Sequence, residues 1–153
     1  MGYERLLVEQ TINIELITEA GIVFDVVSDL QTYPFWLDIV DKVTPDGEDA
    51  WIVTLTAKIG PIKRSKKLRM IKSTDGMATT FIRQETHGRD FSIWKMHSTV
   101  TPVSTNSSEL TIELLYDGPY WSNVLDALLD ARKPKIQKSL ESYLADKASE
   151  TVK

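Results

Sequence analysis

The chain contains no cysteine. Disulfides, thiolate nucleophiles and cysteine-ligated metals are therefore excluded from any account of its fold or activity. Histidine is almost as scarce. His87 and His97 are the only two, and they lack the short spacing by which paired imidazoles hold a metal. Neither a metal site nor any cofactor is expected. No apolar run approaches the roughly 20 residues of a membrane-spanning helix. The opening Met1-Gly2-Tyr3-Glu4-Arg5 has no secretory-signal pattern, and Leu6 stands where a myristoylation motif needs Ser or Thr. A soluble, cytoplasmic protein is the expectation. No serine nucleophile elbow, glycine-rich phosphate loop, internal repeat or linker is present, so nucleophilic catalysis has no support in the sequence.

What is present is ordinary globular material. The 153 residues are 42% hydrophobic and 26% charged, which predicts one domain spanning 1–153 with a core and some residues to spare for lining a cavity. The net charge of −4 points away from nucleic acid as a partner. Oligomeric state is open between monomer and homodimer.

A long amphipathic stretch, Pro119 to about Ala148, dominates the C-terminal part. Trp121, Val124, Leu125, Leu128, Leu129, Ile136, Leu140, Tyr143 and Leu144 recur at spacings of three and four, which lays one apolar stripe along a helix. Pro134 should kink that helix or split it. The helix needs a broad apolar surface to lie on.

Strands supply that surface. Val8, Ile12, Ile14 and Leu16 alternate with Glu9, Thr11, Asn13 and Glu15, the pattern of a half-buried strand. Thr18 can cap a short helix with the stripe Ile22, Val23, Val26, Val27 and Leu30, which should fail around Leu30 to Tyr33, before Pro34. Then comes Tyr33-Pro34-Phe35-Trp36-Leu37, either a plug for one end of the core or the lip of a pocket, with the plug preferred. From Ile39 to Tyr116, six short strands are separated by turns such as Pro45-Asp46-Gly47 and Thr74-Asp75-Gly76. Pro102 should end the penultimate strand, with Ser104 to Ser108 as a loop. The order is one strand, two short helices, six strands and a long helix. That order predicts an α+β fold with a seven-stranded antiparallel sheet.

Three stretches carry a likeness. Val23-Phe24-Asp25-Val26-Val27-Ser28-Asp29-Leu30 with Tyr33-Pro34-Phe35-Trp36, then Trp94-Lys95-Met96 leading to Thr101-Pro102, and finally the terminal helix, together resemble the START/Bet v 1-like superfamily in its polyketide cyclase/dehydrase and lipid-transport branch. The resemblance implies a helix-grip: a curved sheet wrapped around the long C-terminal helix, with a cavity between them. Periodicity cannot tell a hollow interior from a filled one.

If Trp94 points inward, Met96 shares its face, as do Leu114 and Tyr116 on the last strand and Phe81, Arg83 and Glu85 on the strand before. The expected ligand-binding set is Trp36, Phe81, Arg83, Trp94, Met96, Leu114, Tyr116, Trp121, Leu125, Leu128 and Leu129. Arg83 and Glu85 could anchor a ligand carbonyl or carboxylate, although a place at the wet rim of the sheet is preferred for them. Tyr116 is the best donor or weak acid, with a protein-bonded hydroxyl as the commoner outcome. His97 has the opposite parity and should face solvent. The basic run Lys63, Arg64, Lys66, Lys67, Arg69 and Lys72 reads as a solvated outer face. Transient contact with an anionic membrane surface, or with an acidic partner, is the alternative, and Lys133, Lys135 and Lys138 could join such a patch.

The expected function is binding, with transport as an extension, of a hydrophobic or aromatic small molecule such as a lipid or polyketide. An aromatase/cyclase-like enzyme is the alternative. A protein-interaction module with a vestigial cavity is the second.

Overall fold

The structure, a computed structural model, describes residues 7–59, 61–84, 92–118, 121 and 128–151. Seven strands form one sheet: β1 (Leu7–Leu16), β2 (Val40–Pro45), β3 (Ala50–Ile59), β4 (Ile62–Asp75), β5 (Ala78–Arg83), β6 (Ile93–Ser104) and β7 (Ser107–Asp117). All pairings are antiparallel, in the spatial order β1-β7-β6-β5-β4-β3-β2. Two helical segments fall between β1 and β2, α1 (Ala20–Val27) and a 3-10 helix (Leu30–Phe35). A final helix, α2 (Leu128–Thr151), closes the chain order. This is the α+β helix-grip arrangement: a curved antiparallel sheet, short helices after its first strand, and a C-terminal helix.

The period-2 pattern decides which face is buried. On β1, Val8, Ile12, Ile14 and Leu16 are buried while Glu9, Thr11, Asn13 and Glu15 are exposed. Ile12 and Ile14 lie opposite Ile112 and Leu110 of β7, so two apolar rows meet on the concave side. The tight turns use glycine where the backbone demands it, with Gly47 at φ 108° between β2 and β3 and Gly76 at φ 60° between β4 and β5.

Three sequence expectations change. Thr18 does not cap α1. The cap is Glu19, which makes no side-chain cap bond, and the Thr18 carbonyl instead accepts from Ser108 Oγ at 2.9 Å. Pro102 does not end β6, which runs on to Ser104 past an irregularity between 102 and 104. The last β5 partner of β6 is Ala78, opposite Thr99. Beyond it no strand asks for the N–H that proline lacks, so the ring is tolerated there. Pro134 does not split the last helix, which is continuous over its 24 residues. The proline is exposed, on the side of the helix away from Ile136 and Leu140.

Helix α2 buries Ile136, Leu140 and Leu144 and exposes Lys133, Lys135, Lys138 and Glu141. Its described part packs on β1 and the 3-10 helix. Gln137 donates to the Glu15 carbonyl at 3.2 Å. Arg132 and Lys135 converge on Asp38 at 3.2 and 2.5 Å, and Phe35 stacks on Tyr143 with ring centroids 5.5 Å apart. Lys135 is thereby committed to an acid of its own fold and does not join the basic run of β4. The part of the expected helix at 119–120 and 122–127 lies outside the described residues. Among described residues, no helix is long and apolar enough to cross a membrane.

Leu140 is fully buried at the centre of this contact. Leu140→Ala is expected to cost about 2–5 kcal/mol through lost transfer energy and the cavity left behind. Lys138→Ala, two residues away on the exposed side, should stay within about 0.5 kcal/mol. Urea unfolding of the two variants measures the contrast.

Candidate functional site

The aromatic corner after α1 is built from its own backbone outward. Asp29 accepts from the Gln31 N–H at 3.0 Å and starts the 3-10 helix. The Thr32 hydroxyl lies 2.8 and 2.9 Å from the carbonyls of Val26 and Asp29 and accepts from Trp36 Nε1 at 3.2 Å. Tyr33 Oη donates to the Val27 carbonyl at 2.7 Å. Both rings are buried against each other at 4.4 Å, and Tyr33 meets Phe81 of β5 edge-on at 5.8 Å. Trp36 is therefore a plug, as preferred from the sequence, and it does not line the cavity described next.

Burial holds the Tyr33 hydroxyl strongly towards its protonated form. The Ser98 hydroxyl, close enough to act without full hydrogen-bond geometry, opposes this, and the charge of Asp29 adds to it. Tyr33 is a neutral donor at any physiological pH.

Between this corner and the concave face of the sheet lies a cavity of about 70 Å³. Val53 and Leu55 of β3, Leu68 and Met70 of β4, Phe81 of β5, Trp94 and Met96 of β6 and Leu114 of β7 make the sheet wall. Leu30, Tyr33, Leu37, Ile39 and Val40 make the opposite wall, and Lys95 borders it. Among described residues that opposite wall comes from the 3-10 helix, the segment after it and the first residue of β2, and the helix residues expected to face the cavity, Leu125, Leu128 and Leu129, lie where no side chain is described.

Of the expected ligand set, Phe81, Trp94, Met96 and Leu114 are brought together here. Arg83, Tyr116 and Trp121 stand beside the cavity and turn to protein partners. Arg83 is half-buried, and its Nη1 donates to the Ser92 carbonyl and hydroxyl at 3.1 and 2.9 Å. The same hydroxyl accepts from Trp94 Nε1 at 2.8 Å. Tyr116 is buried, and its Oη accepts from the Trp121 backbone N–H at 3.2 Å. Its ring packs on Trp94 at 4.6 Å, and Trp121 packs on Trp94 at 5.9 Å. Leu125, Glu85 and His87 lie outside the described residues, as do the side chains of Leu128 and Leu129. His97 takes the convex face, with Nδ1 at 2.7 Å from Thr80 Oγ1 and Nε2 at 3.3 Å from Thr99 Oγ1. Among described residues no cluster of His, Asp and Glu could hold a metal.

The expected set missed Val53, Leu55, Leu68, Met70, Leu30, Leu37, Ile39 and Val40. The strand members were available from alternation, since Trp51, Val53, Leu55 and Ala57 share one parity. Leu68 and Met70 were obscured by the cations around them. Leu37 had no periodic signal because it follows a 3-10 helix, and Ile39 and Val40 stand at the entry to β2, where alternation is too short to assign a face.

The comparisons with known proteins agree with this architecture. No protein-family model matches the chain, and no curated protein matches it by sequence. Solved structures do match. A START superfamily protein from Mycobacterium smegmatis superposes with a TM-score of 0.67 at 17% identity, covering 92% of this chain and 97% of its own. An aromatase/cyclase from a Streptomyces species gives 0.69 at 10% identity, with 93% and 96% covered. A norcoclaurine synthase mutant from Thalictrum, in complex with a transition-state analogue, gives 0.61 at 10% identity, with 96% and 99% covered. At these identities the likeness is one of fold, and the fold is START/Bet v 1-like.

Two variants test the site's construction. At Gly118 an added Cβ would sit 2.6 Å from Tyr116 Oη and 2.7 Å from Ser92 Cβ, so Gly118→Ala should destabilise by about 1–3 kcal/mol and lower the thermal midpoint. Tyr33→Phe leaves the Val27 carbonyl without its donor and should cost about 1–3 kcal/mol. The raised Tyr33 pKa also makes the folded state hold a proton that the unfolded chain gives up above its ordinary value of 10.0. Its contribution is complete below that pH and declines as pH rises through it and beyond. The wild-type protein should therefore lose stability there more steeply than Tyr33→Phe, as measured by chemical denaturation across alkaline pH.

Proposed function

We propose that this chain binds a hydrophobic or aromatic small molecule, of the lipid or polyketide kind, between the concave face of its sheet and the helical corner. The observation that carries this reading is the unfilled cavity, whose described walls are apolar side chains from six strands and the segment around the 3-10 helix. Apolar walls that side chains leave uncovered gain free energy when an apolar guest replaces water against them. The START-like fold of the chain, shared with proteins named as an aromatase/cyclase and a norcoclaurine synthase, supports the reading.

Size sets a condition on binding. A cavity of about 150 Å³ holds benzene, so a space of about 70 Å³ must expand for a lipid- or polyketide-sized guest. Met70 and Met96 are suited to that, because an unbranched thioether changes rotamer at little cost. Each 100 Å² or so of ligand surface buried would contribute about 2.5 kcal/mol. Arg83, held over Ser92 at the edge of the apolar wall, would be a cation for a polar end of the ligand once the cavity expands towards it.

Native mass spectrometry of the protein purified from its own cells should find a retained apolar or aromatic mass. Leu55→Trp, which fills the cavity from β3, should remove that mass and abolish uptake of an environment-sensitive naphthalene dye while the fold stays intact by circular dichroism. Equal dye uptake by wild type and variant would sink the assignment of the cavity. Incubating the recovered compound with fresh protein then separates the two functional forms. An unchanged compound marks a carrier, and conversion marks the aromatase/cyclase-like alternative.

A further inference from the structure

The β3–β4 hairpin concentrates positive charge at one end of a negative protein. Residues 58–69 hold six of the eighteen cations and none of the twenty-two acids. With twelve cations against twenty-two acids, the rest of the chain carries a net −10. The two basic residues farthest from the hairpin tip are neutralised within the fold. Arg69 meets Asp46 at 2.8 Å, and Lys72 meets Asp49 at 3.8 Å and covers the Trp51 ring at 5.5 Å. Nearer the tip, exposed Lys58, Lys63 and Lys67 have no acidic partner among the described residues. Lys58 and Lys63 are direct cross-strand partners, an arrangement in which like charges repel. Nothing in the fold requires that repulsion.

The register also corrects the reading of this run as one solvated outer face. Lys63 and Lys67 share the convex side with Lys58. Arg64 and Lys66 lie opposite Ala57 and Leu55, on the concave side that carries cavity-lining Leu55 and Leu68. Cations thus surround the end of the hairpin on both faces. A small anionic ligand in the cavity would meet only the concave pair. A flat anionic surface met end-on would meet Lys58, Lys63 and Lys67 as well. The sequence that joins the strands, Ile59-Gly60-Pro61-Ile62, is apolar, a composition that suits a lipid headgroup boundary. No aromatic residue occurs between Ile52 and Thr80, so the hairpin offers nothing on which nucleic-acid bases could stack.

We propose that the tip of the β3–β4 hairpin docks end-on onto a bilayer containing anionic phospholipid. The negative remainder of the molecule is repelled by the same surface, so the charge asymmetry selects one orientation. In that orientation the cavity wall begins immediately above the headgroups, at Leu55 and Leu68. The docking surface is distinct from the cavity and can be tested without a cavity ligand.

The experiment is vesicle flotation of the full chain. Phosphatidylcholine vesicles containing phosphatidylglycerol should carry the protein, pure phosphatidylcholine vesicles should carry little, and added salt should release it. Lys63→Glu/Lys67→Glu alters two exposed side chains and should weaken binding about tenfold or more, given the contribution of each surface cation. Lys133→Glu/Lys138→Glu, an equal charge change on exposed positions of α2, should leave it close to wild type, and so should the cavity-filling Leu55→Trp. Failure to bind the anionic vesicles would overturn the proposal. So would binding indifferent to the hairpin pair, or equal affinity for a single-stranded oligonucleotide or an acidic peptide.

Discussion

The hydrogen bond from Tyr33 Oη to the Val27 carbonyl is the constraint on which the interior depends. Helix α1 ends at Val27, and the last carbonyls of a helix need partners when they are buried. By supplying one, Tyr33 turns the chain back over the helix it has just left and sets its own ring on Phe81. Trp36, held through Thr32 to the Val26 carbonyl, fixes the next turn of the same corner. The result is a rigid bracket standing on the concave face of the sheet. Leu37, Ile39 and Val40 then reach the cavity because the bracket aims them there.

That bracket explains why the cavity walls are apolar although polar groups are close by. Arg83, the Trp94 indole and Ser92 satisfy one another at one edge, and Tyr116 accepts from the backbone of Trp121 at the same end. An unpaired polar group in such a place would cost more than its bond is worth. The polar atoms therefore turn sideways, along the sheet, and leave aromatic faces and aliphatic side chains towards the space. Apolar contact would then supply most of the affinity for a guest, and the arginine its orientation.

Charge is handled by the opposite logic on the outside. The acids of the β2–β3 turn neutralise the inner cations of β4, and Asp38 gathers Arg132 and Lys135 to tie α2 to the corner. At the β3–β4 tip, Lys58, Lys63 and Lys67 have no acidic partner among the described residues. A protein of net −4 thereby carries one strongly positive extremity, a property of the distribution that the net charge conceals.

The sequence by itself determined the elements and their faces, because strand alternation and helical spacing are local consequences of backbone geometry. Trp94, Met96, Phe81 and Leu114 could be assigned to one surface on that basis, and Ile136, Leu140 and Leu144 to one stripe. Local punctuation was less reliable. Pro102 reads as a stop and Pro134 as a kink or a split, and whether proline ends an element depends on whether a neighbour requires its missing N–H. Only the tertiary structure decided that the interior holds a void, that the segment after the 3-10 helix forms its second wall, and that Arg83 and Tyr116 bond to protein. Each depends on distant parts of the chain meeting, as Tyr33 meets Phe81. A void is the space left by all such meetings together, and no stretch of sequence carries it alone.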